Sequence, residues 1–588
     1  MNDKVQKKYI SGYPVSYAQR RMWFLSRFES DSLLNNSSIE ATLSGSLNVA
    51  YFKKALQILI NRHESFRTNF IQTDDSSLVQ ILQPKSQVEI NYFDYSKKNP
   101  AVRTCLEEAE KERNAGKIFN LSHDPLARIS FVKRTRNEYW VLITLHHIIS
   151  DVWTLAFFWN ELSDIYQSLV EKRQLNLPQI NFQYKDYSSW EQSDEYLQAC
   201  AGQRKYWLKK LYNTPTFIKL PFDYLRPRVQ TYRHRLVKAK FKIETVKKVD
   251  EICNNLNITY YTFFLSSFMM FLSKLSGKED IIVGTYAVNR DQAELERVAG
   301  ILLNNIAIRA EFEKQETVKK IFLAINKIVL SAMKNKDYPF EKLIDDLKIK
   351  REAAHSPLFN VVFQIFNRDI GLLEGTFPGF KKQIDFYNSN FFQHDLVIRV
   401  GIEDEKIGFD LNYNIDLFTD ITAKALARAY CLFVDEVVLK LNQPFSKIGI
   451  SFKQNKPKVF KLKCNQKKPE VQGDKNNLQN IEQQIMEIWK EVLGSEYVCR
   501  SDNFFYLGGH SLKLIQVHDR IEKLYPGKSS IADLFNYYTV DSLARHLVKD
   551  KRNQAPQKKK KTKTFSALLS EARESEKVID EVVQSLLD

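Results

Sequence analysis

The stretch "LITLHHIISDVWTLAFF" (residues 142–158) sets two adjacent histidines, His146 and His147, and an aspartate, Asp151, inside a strongly apolar segment. Burying polar groups without partners costs free energy. These three side chains are therefore either satisfied inside a core or gathered at a reaction centre, and the local residues leave both readings open.

Working outward, residues from about 12 to 450 alternate strand-like and helix-like segments. "EYWVLITLHHI" and "EDIIVGTYAV" read as buried strands, while "NVAYFKKALQILINRH" and "YTFFLSSFMMFLSKL" read as helices. An α/β body is expected. Beyond it, "NNLQNIEQQIMEIWKEVLG", "SLKLIQVHDRIEKLY" and "TVDSLARHLVK" repeat apolar residues at helical spacing, which predicts a compact helical bundle. The last segment, "TFSALLSEARESEKVIDEVVQSLLD", predicts one amphipathic helix with Leu568, Leu569, Ile579, Val583 and Leu587 on its apolar face and acidic residues opposite. Such a helix has no core of its own and needs a partner, either on this chain or on another.

Two basic stretches separate these parts, "KQNKPKVFKLKCNQKKP" (453–469) and "KRNQAPQKKKKTK" (551–563). They hold much of the +17 formal net charge. Without a zinc-finger, RRM or basic-helix signature beside them, they read as solvated linkers, and nucleic acid is not expected as a partner. At 44% hydrophobic and 12% aromatic residues the composition is globular. No apolar run approaches the ~20 residues that span a bilayer, so no membrane partner is expected. The N-terminus lacks an apolar signal-peptide core, making the cytoplasm the expected compartment. The six cysteines show no CxxC or Cys/His spacing, so neither a disulfide framework nor a metal site is expected.

"DNFFYLGGHSLKLIQV" (502–517) puts Ser511 at the start of an apolar-periodic helix, after the Gly508–Gly509 turn. A serine in that position is often only a helix N-cap. The whole string, with the helix upstream of it, resembles the phosphopantetheine attachment site of peptidyl carrier domains. The resemblance implies a four-helix, all-α carrier domain with 4'-phosphopantetheine on Ser511, loaded by a phosphopantetheinyl transferase. A hydroxyl at a loop–helix junction is open to such modification, and a long arm fixed there swings a thioester between partners.

For "HHIISDVW" the company matters more than the residues themselves. "SYAQRRMWFL" (16–25), "RHESFRTNF" (62–70), "YKDYSSW" (184–190), "VGTYAVNR" (283–290), "VAGILLNNIAIR" (298–309), "KDYPFEKL" (336–343) and "REAAHSPLFNVVFQ" (351–364) occur in the order of the core motifs of nonribosomal peptide synthetase condensation domains, and the chain resembles that family over nearly all of 12–450.

The resemblance implies two chloramphenicol-acetyltransferase-like α/β lobes in a V, about 12–180 and 181–450, within a condensation domain over 1–450. A basic linker (451–475), a carrier domain (476–550), a lysine-rich linker (551–564) and the tail helix (565–588) would follow. In the function so implied, an acyl thioester on an upstream acyl or peptidyl carrier protein is attacked by an aminoacyl amine on the Ser511 arm, forming an amide. His147 is the implied catalytic residue and His146 a supporting member of the motif. Asp151 forms a structural ion pair with Arg290, while Asn304 and the Ser356–Pro357 turn line or brace the site. No adenylation segment is recognisable, so an adenylation enzyme acting in trans is an expected partner. The tail helix is a candidate docking element for a downstream synthase.

One position departs from the family. The motif usually ends HHxxxDG, and Val152 stands in place of the glycine, which would let backbone approach a ligand closely. Valine there is expected to line and narrow or redirect the tunnel. "SDVW" looks like condensation domains at polyketide-to-peptide junctions, which implies a polyketide-type donor. The alternatives are a catalytically impaired docking and carrier scaffold, or an ester-forming acyltransferase with a hydroxyl acceptor.

Overall fold

A computed structural model describes residues 12–452 except 29–32, 34, 74–76, 228–229, 350–351, 353, 368–380, 388–391 and 404–405; towards the C-terminus it describes 475–494, 498–500, 502, 504, 511–530, 533–534 and 537–548. The chain divides into two compact units, Met1–Pro469 with His510–Gln516, and Glu470–Gly509 with Val517–Asp588.

In the first unit the main strands are β1 (Asn36–Ser44), β2 (Ile90–Asp94), β3 (Ala127–Thr135), β4 (Glu138–His146), β5 (His234–Lys240), β6 (Asp280–Val288), β7 (Leu303–Glu311), β8 (Val361–Asn367), β9 (Lys381–Tyr387), β10 (Leu396–Glu403) and β11 (Lys406–Asn414). Its main helices are α1 (Tyr17–Phe28), α2 (Val49–Arg62), α3 (Val152–Glu171), α4 (Tyr260–Ser276), α5 (Val318–Lys334) and α6 (Asp420–Leu439). Two sheets organise two α/β lobes, of order β9-β1-β4-β3-β2 and β7-β6-β8-β10-β11-β5.

β4 lies inside the first sheet, antiparallel to both β1 and β3. Its residues Tyr139 to His146 are all buried, so the continuous apolar run reflects a strand covered on both faces. α2 meets this sheet at β3, its Phe52 ring lying 4.7 Å from that of Phe131; it buries Phe52, Ala55, Leu56, Leu59 and Ile60 at helical spacing and is capped by Asn48, whose side chain accepts from Tyr51 N–H. In the second lobe, α4 is buried at every position from Thr262 to Ser273, which explains why its sequence is apolar all round.

One described strand crosses the lobe boundary expected near 180. β9 leaves the second half of the chain and joins the first sheet, antiparallel to β1 from Lys381↔Ser44 to Tyr387↔Ser38. It supplies hydrogen-bond partners to an edge that would otherwise present bare backbone groups.

Towards the C-terminus lie α7 (Lys475–Leu493), α8 (Ser511–Leu524) and α9 (Val540–Val548), with helical residues Asp533 and Leu534 between the last two. Ile481, Ile485 and Trp489 of α7, Leu514, Val517 and Ile521 of α8, and Leu543, Ala544 and Leu547 of α9 are buried. The expected linkers at 453–474 and 551–564 and the tail helix at 565–588 lie outside the described residues. Among the described residues no helix is long and apolar enough to cross a membrane.

Candidate active site

The opening stretch folds as strand, turn and helix. β4 ends at His146, His147–Ile149 form a single 3-10 turn, and α3 begins at Val152 with Asp151 as its N-cap. The His147 N–H donates to the Asn35 carbonyl at 2.7 Å, tying the turn to the end of β1.

The two histidines are held differently. His146 is buried, its Nδ1 accepts the Ile148 N–H at 3.1 Å, and its Nε2 lies 3.1 Å from Ser26 Oγ on α1. With Nδ1 accepting, the neutral ring carries its proton on Nε2 and donates it to Ser26, which also accepts from Asn35 Nδ2 at 2.9 Å. Burial, followed by the neighbouring His147 and Arg128, pushes its pKa down to about 3. Both nitrogens are therefore engaged in holding the turn.

His147 is only partly buried. Its Nδ1 lies 3.2 Å from the Ser150 carbonyl, which can only accept, so Nδ1 carries the proton and Nε2 keeps its lone pair. Its pKa is lowered, first by burial and further by the charge of Arg21, against opposing effects of the Ser150 carbonyl and Asp151. The imidazole is thus kept neutral, with one nitrogen fixed and the other basic.

Asp151 and Arg290 meet across the lobes. Arg290 Nη2 lies 3.0 Å from both Asp151 carboxylate oxygens, and the two side chains are 1% and 2% exposed. Most of the remaining valences are filled, while Arg290 Nε is buried without a hydrogen-bond partner among the described residues. Oδ1 accepts the Thr154 N–H at 2.7 Å and Oδ2 the Leu302 N–H at 3.1 Å, while Arg290 Nη1 donates to the carbonyls of Leu295 and Val298, each at 2.8 Å. A buried pair needs such partners to offset its desolvation. Thr154 Oγ1 accepts from Gly300 N–H at 3.1 Å, adding a second cross-lobe link beside the first. Asp151 is committed to structure on every side, with no capacity left for proton transfer.

Val152 is the first residue of α3 and 39% exposed. It is not among the described residues with left-handed backbone, so its helical conformation does not call for glycine. Asn304 braces the second lobe, Nδ2 donating to the Lys336 and Tyr338 carbonyls at 2.7 Å each and Oδ1 accepting from Phe340 N–H at 3.0 Å. The Ser356 hydroxyl donates to the Gln393 carbonyl. Both serve as braces.

Ser511 is the first residue of α8. The amides of a helix's first turn have no intrahelical acceptor and favour an anion, so the phosphodiester of a phosphopantetheine arm fits at this position. The rest of the attachment string, 505–510, lies outside the described residues.

Sequence reasoning missed Ser26, Asn35, Gly300 and Leu302, which reach the site through tertiary hydrogen bonds. Thr154 carried a usable signal, because Asp151-x-x-Thr154 is an N-cap pattern.

The fold and the site together define a protein of two α/β lobes with a histidine turn between β4 and α3. The chain belongs to the condensation-domain family, whose model matches residues 10–458; that of the phosphopantetheine attachment site matches 483–547. One of the linear gramicidin synthase subunits of Brevibacillus parabrevis is 30% identical over 444 residues, covering 74% of this chain and 8% of its own length. Surfactin synthase subunit 1 of Bacillus subtilis (strain 168) is 31% identical over 441 residues, covering 74% of this chain and 12% of its own length. The chain therefore spans only a small part of these relatives. Among solved structures, the X-domain from teicoplanin biosynthesis superimposes with a TM-score of 0.68 at 22% identity, covering 75% of this chain and 98% of the other. The two-lobed condensation fold expected from sequence is that of the chain's family and of its structural neighbours, and the expected carrier domain is matched by the attachment-site family model.

Proposed function

We propose that the chain forms an amide bond between an acyl thioester on an upstream carrier protein and an aminoacyl group on the phosphopantetheine arm of Ser511. The observation that carries this reading is the fixed tautomer of His147, Nδ1 pinned to the Ser150 carbonyl and Nε2 left basic. In the reaction, Nε2 accepts the proton of the attacking amine and returns it to the departing thiol. General base assistance of this kind is typically worth ~10²–10⁴-fold. His146 holds the turn, and Asp151 with Arg290 fixes the lobes around it. The phosphopantetheine arm supplies the thioester that activates the acyl group for attack.

A phosphopantetheinyl transferase would install the arm, and an adenylation enzyme would supply the amino acid. The apolar side chain of Val152, at the start of α3, supports a donor of polyketide type. The test is a competition in which the holo chain meets fatty acyl, β-modified acyl and aminoacyl pantetheine donors with amine or alcohol acceptors. Amide formation with the first two donor classes, and Val152→Gly widening use of the third, supports the reading. Ester formation with the alcohol, or preference for aminoacyl donors, contradicts it.

A further inference from the structure

α6 buries Leu426, Tyr430, Phe433, Val434 and Val437 in the second lobe, with the Tyr430 ring 5.3 Å from that of Phe409 on β11. The opposite face of the helix is open. There Ile421 is 75% exposed, Leu432 39% and Leu439 67%. At about 3.6 residues per turn, Ile421 and Leu439 fall on one line along the helix and Leu432 within about 20° of it, so the three form one apolar stripe ~27 Å long. Exposed leucines scattered singly are ordinary, whereas apolar side chains aligned on a helix face mark a surface that another helix covers.

The charges beside the stripe say which helix. Lys424 and Arg428 flank its N-terminal half and Asp435 its C-terminal half, all three on the same side. Both cations are exposed, and Lys424 makes a surface pair with Asp420 at 3.4 Å, of the readily exchanged kind. Asp435 accepts from Lys242 Nζ at 2.8 Å and from the Thr245 hydroxyl, and a carboxylate has sites for a further donor. Glu436 lies across the stripe, taken up by Lys440 and the Gly449 N–H. Charge on the Lys424 side therefore reverses from one end of the helix to the other. A helix with that pattern repels a parallel copy of itself and attracts an antiparallel one.

We propose that this face of α6 is an interface between two copies of the chain, paired antiparallel about a two-fold axis near residue 430. The axis sets Ile421 of one copy opposite Leu439 of the other, and Lys424 opposite Asp435, each relation occurring twice. Arg428 meets Leu432 and lays its aliphatic stem along it. A two-fold pairing uses the same patch on both copies and closes it. One helix face is a small interface, so the dimer is a weak one that forms as concentration rises.

Sedimentation velocity of the full chain, from low to high micromolar concentration, reads the association. Wild type should pass from monomer to dimer across that range. Ile421→Lys and Leu439→Lys should each raise the dimer dissociation constant at least ~10-fold, because an ammonium forced into the apolar seam is desolvated without a partner. Lys424→Glu sets carboxylates against each other at two places and Asp435→Lys does the same with ammonium groups, so each alone should weaken the dimer. An equimolar mixture of those two chains should restore it, since every altered position then meets its complement. Where Asp435→Lys does not fold for want of the Lys242 link, Lys424→Glu and Leu439→Lys remain informative. A wild-type chain that stays monomeric throughout overturns the proposal. A dimer that survives both Ile421→Lys and Leu439→Lys also overturns it, as expected if the segment 565–588 made the contact instead, and a mixture no more associated than its two components overturns the antiparallel pairing.

Discussion

At the scale of single residues the site separates support from chemistry by hydrogen bonds. His146 spends both nitrogens on the turn, whereas His147 spends one. Asp151 gives both oxygens to an N-cap, a backbone amide and Arg290. We expect Asp151→Ala to leave the Arg290 guanidinium buried and unpaired, at a loss of about 3–5 kcal/mol. Chemical denaturation of the condensation unit checks this, and unchanged stability would contradict the structural role. His146 predicts a pH dependence. Its native pKa of about 3 lies below the ordinary 6.5, so between these values the unfolded chain binds a proton that the native site refuses. Stability should accordingly fall as pH drops from about 6.5 towards 3, and His146→Gln should flatten that slope in urea titrations. The polar residues were visible in the sequence, but their division of labour was not: Ser26, Asn35 and Leu302 are distant along the chain, and no local spacing announces them.

At the scale of elements, α3 ties the two lobes together. Its cap binds Arg290, its first turn meets Gly300 through Thr154, and further along Glu161 takes His63 at 2.9 Å, Arg62 at 3.0 Å and Arg297 of the second lobe at 3.7 Å. Gly300 is confined by this packing. A Cβ there would lie 1.8 Å from the Tyr184 ring, whose hydroxyl donates to the Ile301 carbonyl at 2.8 Å. Gly300→Ala should therefore damage activity and thermal stability together while loading of Ser511 is unaffected; a melting curve and a loading assay check both. β4, β6, α2 and α4 were legible because apolar periodicity reports burial directly. The transfer of β9 to the first sheet was not, since strand pairing is decided by which edge is available in three dimensions.

At the scale of the whole molecule, the order of condensation and carrier parts was legible from ordered strings of residues, while the linkers expected at the composition breaks lie outside the described residues. The exchange of β9 blurs the lobe boundary near 180 that those strings implied. The segment 565–588, acidic and apolar on opposite faces in sequence, is our candidate for docking a downstream synthase. Deleting 564–588 should weaken product transfer to that protein and leave loading of Ser511 unchanged; equal transfer with and without the segment would end the idea.

The most direct test of the central claim is intact-protein mass spectrometry of the holo chain bearing an aminoacyl arm on Ser511 and offered an acyl thioester donor, with wild type beside His147→Ala. The account predicts that wild type gains the acyl mass on the Ser511 arm and that His147→Ala loads equally but gains it at least ~10²-fold more slowly, the lower end of what a general base contributes. Equal condensation by both chains would contradict it.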